Sequence, residues 1–139
     1  MKPVFFLFLC LLALLHTKAQ SLTPFRDSVT HKYGFKNEYG KITVQPVYDM
    51  VYNFSENRAA VNKGATVRMQ NAGGGIWGFI DPSGNEVIPL QYSSVTSFGN
   101  HQSVVIKDRK VFSIDTSGNM IDRTQIIYRN RTDTLHETK

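Results

Sequence analysis

The stretch Trp77-Gly78-Phe79-Ile80-Asp81-Pro82-Ser83-Gly84 is the best guide to the fold, because related stretches occur elsewhere in the chain. The earlier stretch Tyr33-Gly34-Phe35-Lys36-Asn37-Glu38-Tyr39-Gly40 aligns with it at an offset of 44 residues (77 − 33). The same offset relates two further aromatic pairs, Tyr48 with Tyr92 and Phe54 with Phe98. A fixed internal period of this length is the sequence signature of a repeat architecture.

A third, partial copy follows the second. Ile114-Asp115-Thr116-Ser117-Gly118-Asn119 repeats residues 80–85 at an offset of 34 (114 − 80). The shorter offset indicates an additional stretch in the first copy, roughly residues 64–73. The sequence therefore predicts copies at about 32–76 and 77–109, and a partial copy at 110–122.

Each copy is expected to form three short strands. The first ends at a turn in which Asp or Asn precedes a glycine, a pattern that returns the chain; the turn glycines are Gly40, Gly84 and Gly118. The second strand, Lys41–Val44 or Glu86–Ile88, is predicted to end at Pro46 or Pro89, because proline lacks an amide donor. The third covers Ala59–Asn62 or Ser103–Lys107, and the latter is expected to turn into a strand at Lys110–Ile114.

The pattern predicts an all-β protein. Turn signals recur every 8–12 residues or so and no segment has a convincing helical apolar period. We expect about eight or nine strands in an antiparallel β-meander, forming a twisted, curled sheet that is barrel-like or a short solenoid. The segments Leu22–Arg26 and Gln125–Arg129 would pair with its exposed edges.

These residues resemble the WG-repeat family, named for its Trp-Gly pair. The closest agreement lies in residues 77–89 followed by Tyr92, whereas the first copy has Tyr33 in place of tryptophan. The third copy departs from the pattern, with Val111-Phe112 at the Trp-Gly position, and is interpreted as a terminal capping copy or a decayed one. The resemblance implies a β-repeat module of exported or surface bacterial proteins, without catalytic residues or a cofactor to carry over.

The amino terminus has the pattern of a secretory signal peptide. Lys2 precedes the apolar run Val4–Leu15, and small Ala19 follows. The alternative is a membrane anchor, but the run of 12 residues is shorter than the roughly 20 needed to span a bilayer. We predict cleavage near Ala19–Gln20 and a secreted, periplasmic or cell-surface location.

The predicted mature chain has no cysteine, since the single Cys10 lies in the signal peptide. Its domain organisation is a signal peptide at 1–20, a lead-in segment at 21–31, the repeat domain at 32–131 and a flexible tail at 132–139. Without Lys2 and Lys18 the net charge falls from +5 to +3, and the basic residues are scattered. This dilute charge argues against a nucleic-acid partner.

No motif predicts catalysis, a metal site or a cofactor. Residues 73–78 formally match a dinucleotide-binding glycine pattern, but they precede a strand instead of opening a helix, so a flexible loop is expected. The mature histidines His31, His101 and His136 lie far apart. Asn37, Asp81 and Asp115 offer turn chemistry rather than a converging calcium site.

The repeated aromatic residues are expected to form the core, because each copy must bury its apolar face against its neighbours. The alternative is a row of exposed rings that stack on a sugar or peptide, with Trp77 as a contact. The positions predicted to be structural are Tyr33, Gly34, Gly40, Tyr48, Phe54, Trp77, Gly78, Gly84, Pro89, Tyr92, Phe98 and Gly118.

The stretch 64–75 interrupts the repeat and is the second candidate for an interaction surface. Insertions in repeat proteins often lie on the binding face, although tolerated surface drift explains the insertion equally well. The candidate contacts here are Lys63, Arg68 and Met69.

The sequence favours a non-catalytic interaction or scaffold module that binds a protein or glycan of the cell envelope. One alternative is a structural element that associates with itself. The other is a small hydrolase or metal-dependent enzyme with a site assembled across copies.

Overall fold

The computed structural model describes residues 21–68 and 71–121. Within these ranges the chain forms antiparallel strands and no helix, which confirms the all-β prediction. The strands are β1 Leu22–Arg26, β2 Tyr33–Asn37, β3 Ile42–Tyr48, β4 Met50–Val51, β5 Ala59–Arg68, β6 Asn71–Ile80, β7 Glu86–Tyr92, β8 Ser94–Val95, β9 Gln102–Lys107, β10 Lys110–Asp115 and β11 Met120–Ile121.

The strands divide into three open sheets, in the orders β1-β2-β3, β4-β5-β6-β7 and β8-β9-β10-β11. The second and third sheets each combine the last strands of one copy with the first strands of the next. The chain therefore leaves one sheet for the next between β3 and β4 and again between β7 and β8. The number of strands exceeds the expected eight or nine because the sequence pattern did not reveal β4, β8 and β11, which have two residues each.

The predicted edge pairing of Leu22–Arg26 is confirmed. This segment is β1, which pairs with β2 from Leu22 opposite Asn37 to Arg26 opposite Tyr33. Pro24 lies in β1, as expected for an edge strand. The predicted signal peptide, Met69, and everything after residue 121, including the segment Gln125–Arg129, His136 and the tail at 132–139, lie outside the described residues.

The prediction that the second strands end at their prolines is wrong. The strand β3 continues through Pro46 to Tyr48, and β7 continues through Pro89 to Tyr92. Both are edge strands of their sheets, and each has a register shift beside the proline. A β-bulge at an edge tolerates proline because no ladder hydrogen bond has to be donated there.

This bulge explains the glycine of the Trp-Gly pair. Trp77 pairs with Tyr92 and Phe79 with Ile88, so β7 places three residues opposite Gly78 alone. A Cβ atom on Gly78 would lie 2.6 Å from the Ile88 carbonyl oxygen and 2.8 Å from the Leu90 amide nitrogen. Only glycine leaves room for the backbone of β7.

The third copy has Phe112 at the position of Gly78. Within the described residues, which end at 121, β11 pairs with β10 at Ser113 and Ile114. A bulged strand like β7 cannot pass over a phenylalanine as it does over a glycine. The third copy therefore lacks the glycine that admits the bulge in the second copy.

The repeated aromatic residues lie in two similar cores, except Tyr33, for which the core prediction is wrong: it is only partly buried and lines a surface cleft. The rings of Phe35 and Phe54 are 4.8 Å apart at 63°, and those of Phe79 and Phe98 are 4.8 Å apart at 61°. The first core comprises Leu22, Phe35, Val44, Tyr48, Ala59, Val61 and Ile80. The second comprises Ala60, Trp77, Phe79, Ile88, Tyr92, Val95, Phe98, Val105 and Ile114.

The Asp-x-x-Gly turns are built alike. Asp81 Oδ1 accepts from the amides of Ser83 and Asn85 at 2.9 Å, and Asp81 Oδ2 accepts from Asn85 Nδ2 at 3.0 Å. Burial opposes the ionisation of Asp81, but these donors outweigh it and lower its pKa. Asp115 repeats the three bonds with Ser117 and Asn119, and the Asn119 side chain contributes most to lowering its pKa.

The turns also join successive copies. Gly84 has φ +87°, and a Cβ atom there would lie 3.2 Å from the Val44 side chain of the preceding copy. Gly118 has φ +86°, and a Cβ atom there would lie 3.3 Å from the Ile88 side chain. Each turn therefore packs on the second strand of the copy before it, which fixes the spacing of the copies.

The prediction of a flexible loop at residues 73–75 is wrong. These glycines belong to β6, where Gly73 pairs with Thr66 and Gly74 with Ala65 of β5. The insertion lengthens the β5–β6 hairpin instead of interrupting it. Glycine weakens a strand only modestly, so pairing with the well-formed strand β5 decides the conformation.

Candidate functional site

A cleft of about 490 Å³ lies where the loop after β1, the corner between β3 and β4, and the inserted part of β5 meet. Its polar lining is Arg26, Thr30, His31, Lys32, Tyr33 and Asp49. Met50 and Ala65 complete the wall. We refer to this feature as the charged cleft.

The loop at residues 27–32 is closed on itself by Asp27. One oxygen of the Asp27 carboxylate accepts from the amides of Val29 and Thr30, at 3.1 and 2.7 Å, and from the Thr30 hydroxyl at 2.8 Å. The Thr30 amide and hydroxyl are the main causes that lower the pKa of Asp27. Backbone bonds from Asp27 N to Lys32 O and from His31 N to Asp27 O complete the turn, which presents His31 and Lys32 to the cleft.

Asp49 is held from two sides. The Lys32 ammonium forms an ion pair with Asp49 Oδ1, and the Gly64 amide donates to Asp49 Oδ2 at 2.7 Å. Burial raises the pKa of Asp49, but the hydrogen bonds from Lys32 and Gly64 outweigh it, so the pKa is lowered. The carboxylate is ionised at neutral pH and balanced by Lys32, and it joins the insertion to the corner between β3 and β4.

Arg26 forms the other side of the charged cleft. Its Nε donates to the His31 carbonyl at 3.0 Å, and its guanidinium carbon lies 6.0 Å from the centroid of the Tyr33 ring. The two ion pairs within residues 21–68 and 71–121 are Lys32–Asp49 and His101–Glu56, and neither involves Arg26. The charge of Arg26 is therefore not compensated by a carboxylate in this part of the chain.

These charged residues do not follow the repeat. At the offset of 44, His31 corresponds to Gly75, Lys32 to Ile76 and Asp49 to Ser93. Tyr33 and Trp77 are the matching aromatic residues. The second copy thus folds without the charges of the cleft, so the repeat architecture does not require them.

Of the four candidate contacts from the sequence, Lys63 and Trp77 do not line the charged cleft, and Met69 lies outside the described residues. Lys63 is exposed, with Nζ 5.4 Å from the centroid of the Tyr48 ring. Arg68 is the last residue of β5. Trp77 is buried, with 6% of its surface exposed, and its ring packs 4.9 Å from that of Tyr52.

The charged cleft was missed in the sequence because Arg26, His31, Lys32 and Asp49 match no motif at any fixed spacing. The available signal was their departure from the internal repeat. A comparison of the copies that sought differences as well as identities would have singled out Lys32 and Asp49. The insertion borders the cleft, because the Gly64 amide binds Asp49 and Ala65 lines the cleft.

Two further properties concern the parts of the chain that the structure describes. They contain no group of three His, Cys, Asp or Glu side chains placed to hold a metal ion. None of their segments is a helix of the length and apolarity that would cross a bilayer.

Comparison with known proteins agrees with the repeat. No curated protein and no solved structure matches the chain. The family described as WG containing repeat matches residues 33–65 and 77–101, which lie within the two full copies. This confirms the resemblance seen in the residues: the chain carries WG-containing repeats at 33–65 and 77–101.

Proposed function

We propose that this protein is an exported, non-catalytic β-repeat module that binds a protein or glycan of the bacterial cell envelope as an interaction or scaffold element. The observation that carries the proposal is the charged cleft, in which polar residues that do not recur in the second copy are gathered beside the inserted hairpin. The residues that recur between the copies are assigned to the scaffold that carries the cleft.

The buried rings favour the cleft over a row of aromatic contacts. Of the repeated rings, Phe35 and Phe79 are fully buried, while Tyr48, Trp77 and Tyr92 are only 6–7% exposed. A ligand cannot stack on rings that are packed between neighbouring strands. The recurrence of these buried rings reflects packing. Binding is assigned to the charged residues that differ between the copies, beside the partly buried Tyr33.

The non-catalytic part rests on the bonding of the carboxylates. The Asp27, Asp81 and Asp115 side chains each accept several hydrogen bonds within their own turns. Asp49 is paired with Lys32. A general base needs a carboxylate or imidazole that is available to a substrate proton, and these four carboxylates have structural partners instead.

Export is tested by the amino terminus of the protein expressed with its native leader in a bacterial host. Mass spectrometry of the periplasmic and secreted fractions should find a chain that begins at Gln20 or Ser21. An uncleaved chain that begins at Met1 and remains in the cytoplasm would contradict export.

Binding is tested by immobilising the protein and passing isolated envelope proteins and envelope glycans over it. The informative variant carries Lys32→Ile with Asp49→Ser, the residues that the second copy has at these positions. The control is Lys110→Gln, an exposed position on β10. We expect the wild type and the control to retain a component that the double variant loses. Retention by all three proteins, or by none, would contradict the assignment to the cleft.

A further inference from the structure

We propose that the charged cleft is an oxyanion site, in which Arg26 and Lys32 bind a carboxylate or phosphate group presented by a sugar-sized ligand. This inference rests on the proposed binding function and specifies its ligand chemistry. The residues assigned to the site are the Lys32–Asp49 ion pair and, beside it, Arg26, His31, Thr30 and Tyr33.

The charge of the cleft favours an anion. Arg26 and Lys32 contribute two positive charges, His31 adds another when protonated, and Asp49 contributes a single negative charge. The neighbouring Asp27 keeps its negative charge, because the donors that bind its carboxylate are neutral, but it does not belong to the lining of the cleft. Within the lining the cations outnumber Asp49, so an anion would balance the charge of Arg26.

The guanidinium of Arg26 is oriented before a ligand arrives. Its Nε donates to the His31 carbonyl, and its central carbon lies 6.0 Å from the centroid of the Tyr33 ring. The two terminal nitrogens, for which no protein partner occurs in the described part of the chain, are the pair that binds carboxylate or phosphate in a fork. A fixed guanidinium loses less side-chain entropy on binding than a free one.

Lys32 supplies the second cationic group at a defined position. Its ammonium is anchored by Asp49, and Asp49 in turn is anchored by the Gly64 amide. An ammonium group has three donors, so the bond to Asp49 leaves donors for a ligand oxygen. The ion pair therefore positions Lys32 and does not consume its binding capacity.

The size and walls of the cleft suit a ring-sized ligand. Its volume of about 490 Å³ lies within the range of roughly 300–1,000 Å³ usual for small-molecule sites. Tyr33, Met50 and Ala65 provide apolar surface beside the cations, and Thr30 provides a hydroxyl group. This combination of an aromatic wall, a hydroxyl and two cations fits an acidic or phosphorylated sugar better than an extended apolar chain.

The test follows the backbone amides of Thr30, His31 and Gly64 by two-dimensional NMR while the protein is titrated with D-glucuronate, inorganic phosphate or glucose. We expect saturable shifts at these amides with glucuronate, with phosphate or with both, and none with uncharged glucose. The two anions distinguish a carboxylate ligand from a phosphate ligand. Added salt should weaken the binding, because the contacts are ionic.

Arg26→Gln should weaken anion binding about tenfold, since it removes a charge-assisted, forked interaction. The matched control Lys110→Gln removes a positive charge from β10 and should bind as the wild type does. The melting temperature of Arg26→Gln is measured in parallel, and anion binding is compared only on protein that remains folded. If Arg26→Gln is unfolded, Arg26→Lys, which keeps the charge and loses the fork, takes its place and should bind more weakly than the wild type.

Three results would overturn the proposal. They are no saturable shift with either anion, equal shifts with glucose, and wild-type affinity in the arginine variant. A protein that still retains an envelope component through the cleft, while giving any of these results, would keep the binding function and lose only the oxyanion chemistry. Loss of envelope retention with intact anion binding would contradict the proposed envelope binding and leave the oxyanion site in place.

Discussion

Replacement of Gly78 by alanine tests the physical reason for the Trp-Gly pair. The added Cβ would lie 2.6 Å from the Ile88 carbonyl oxygen and 2.8 Å from both the Pro89 carbonyl carbon and the Leu90 nitrogen, all backbone atoms. Ordinary contact begins at 3.4 Å, so β7 would have to move by about 0.8 Å. The atoms that must move are backbone, so rotation of a side chain cannot relieve the contact.

The expected cost combines two effects. Overpacking of this kind costs about 1–3 kcal/mol. Displacement of β7 also weakens its pairing with β6, at about 1 kcal/mol for each hydrogen bond lost. We therefore expect Gly78→Ala to reduce the free energy of unfolding by about 2–4 kcal/mol, which lowers the melting temperature by roughly 10–25 °C in a domain of this size.

The assay is thermal unfolding followed by circular dichroism, with Gly99→Ala as the matched control. A Cβ atom on Gly99 would have no heavy atom within 4 Å, and its φ is not positive. The control should therefore melt within a few degrees of the wild type. If Gly78→Ala melts like the control, close approach of β7 is not the reason for the glycine.

Three further predictions concern the core, the turns and pH. Trp77→Ala should lower the free energy of unfolding, measured by chemical denaturation, by about 3–5 kcal/mol. Trp77→Tyr introduces the residue of the first copy and should cost less than about 1.5 kcal/mol. An alanine variant of unchanged stability that loses a ligand would make Trp77 a contact residue. Asp115→Ala should lower the free energy of unfolding by about 1–2 kcal/mol, as for loss of a capping side chain. Asn119→Ala removes only one of the three side-chain hydrogen bonds of this turn and should lower it clearly less. Equal losses of stability would contradict the assigned roles. Acid should destabilise the fold. A carboxyl group whose pKa is lower in the folded state stabilises that state at pH values above its unfolded pKa of about 3.9. This contribution is lost as the pH falls through the lowered pKa of the folded state. Thermal melting between pH 7 and pH 2 should therefore show the loss beginning below about pH 4, and an unchanged melting temperature down to pH 2 would contradict the assigned pKa directions of Asp27, Asp49, Asp81 and Asp115.

The repeat made much of the fold predictable. Positions at the offset of 44 lie in equivalent places, as the matching ring geometries of Phe35–Phe54 and Phe79–Phe98 show. The Asp-x-x-Gly turns were predictable because an aspartate oxygen and a left-handed glycine act locally. Local chemistry that recurs at a fixed offset can be recognised from sequence alone.

The errors came from interactions between strands. Pro46 and Pro89 were expected to end their strands, but a β-bulge admits each of them at a sheet edge. The glycines at 73–75 were expected to form a loop, but Ala65 and Thr66 opposite them extend the hairpin. Register and bulges depend on the partner strand, which a search for local propensity does not include.

The candidate site was the least predictable part. Arg26, Lys32 and Asp49 come together only because β1 pairs with β2 and because β3 turns into β4 beside the insertion. Sequence indicated the insertion as a surface of interest, but it selected Lys63, Arg68 and Met69. At the base of the inserted hairpin, the backbone amide of Gly64 holds Asp49.

The most direct test of the account locates the contact surface itself. Amide hydrogen exchange is measured on the protein alone and in the presence of the envelope component that it retains. The account predicts added protection at residues 27–33, 49–50 and 64–66, with no change at residues 86–92 of the second copy. Protection centred on β7, with the charged cleft unaffected, would contradict it.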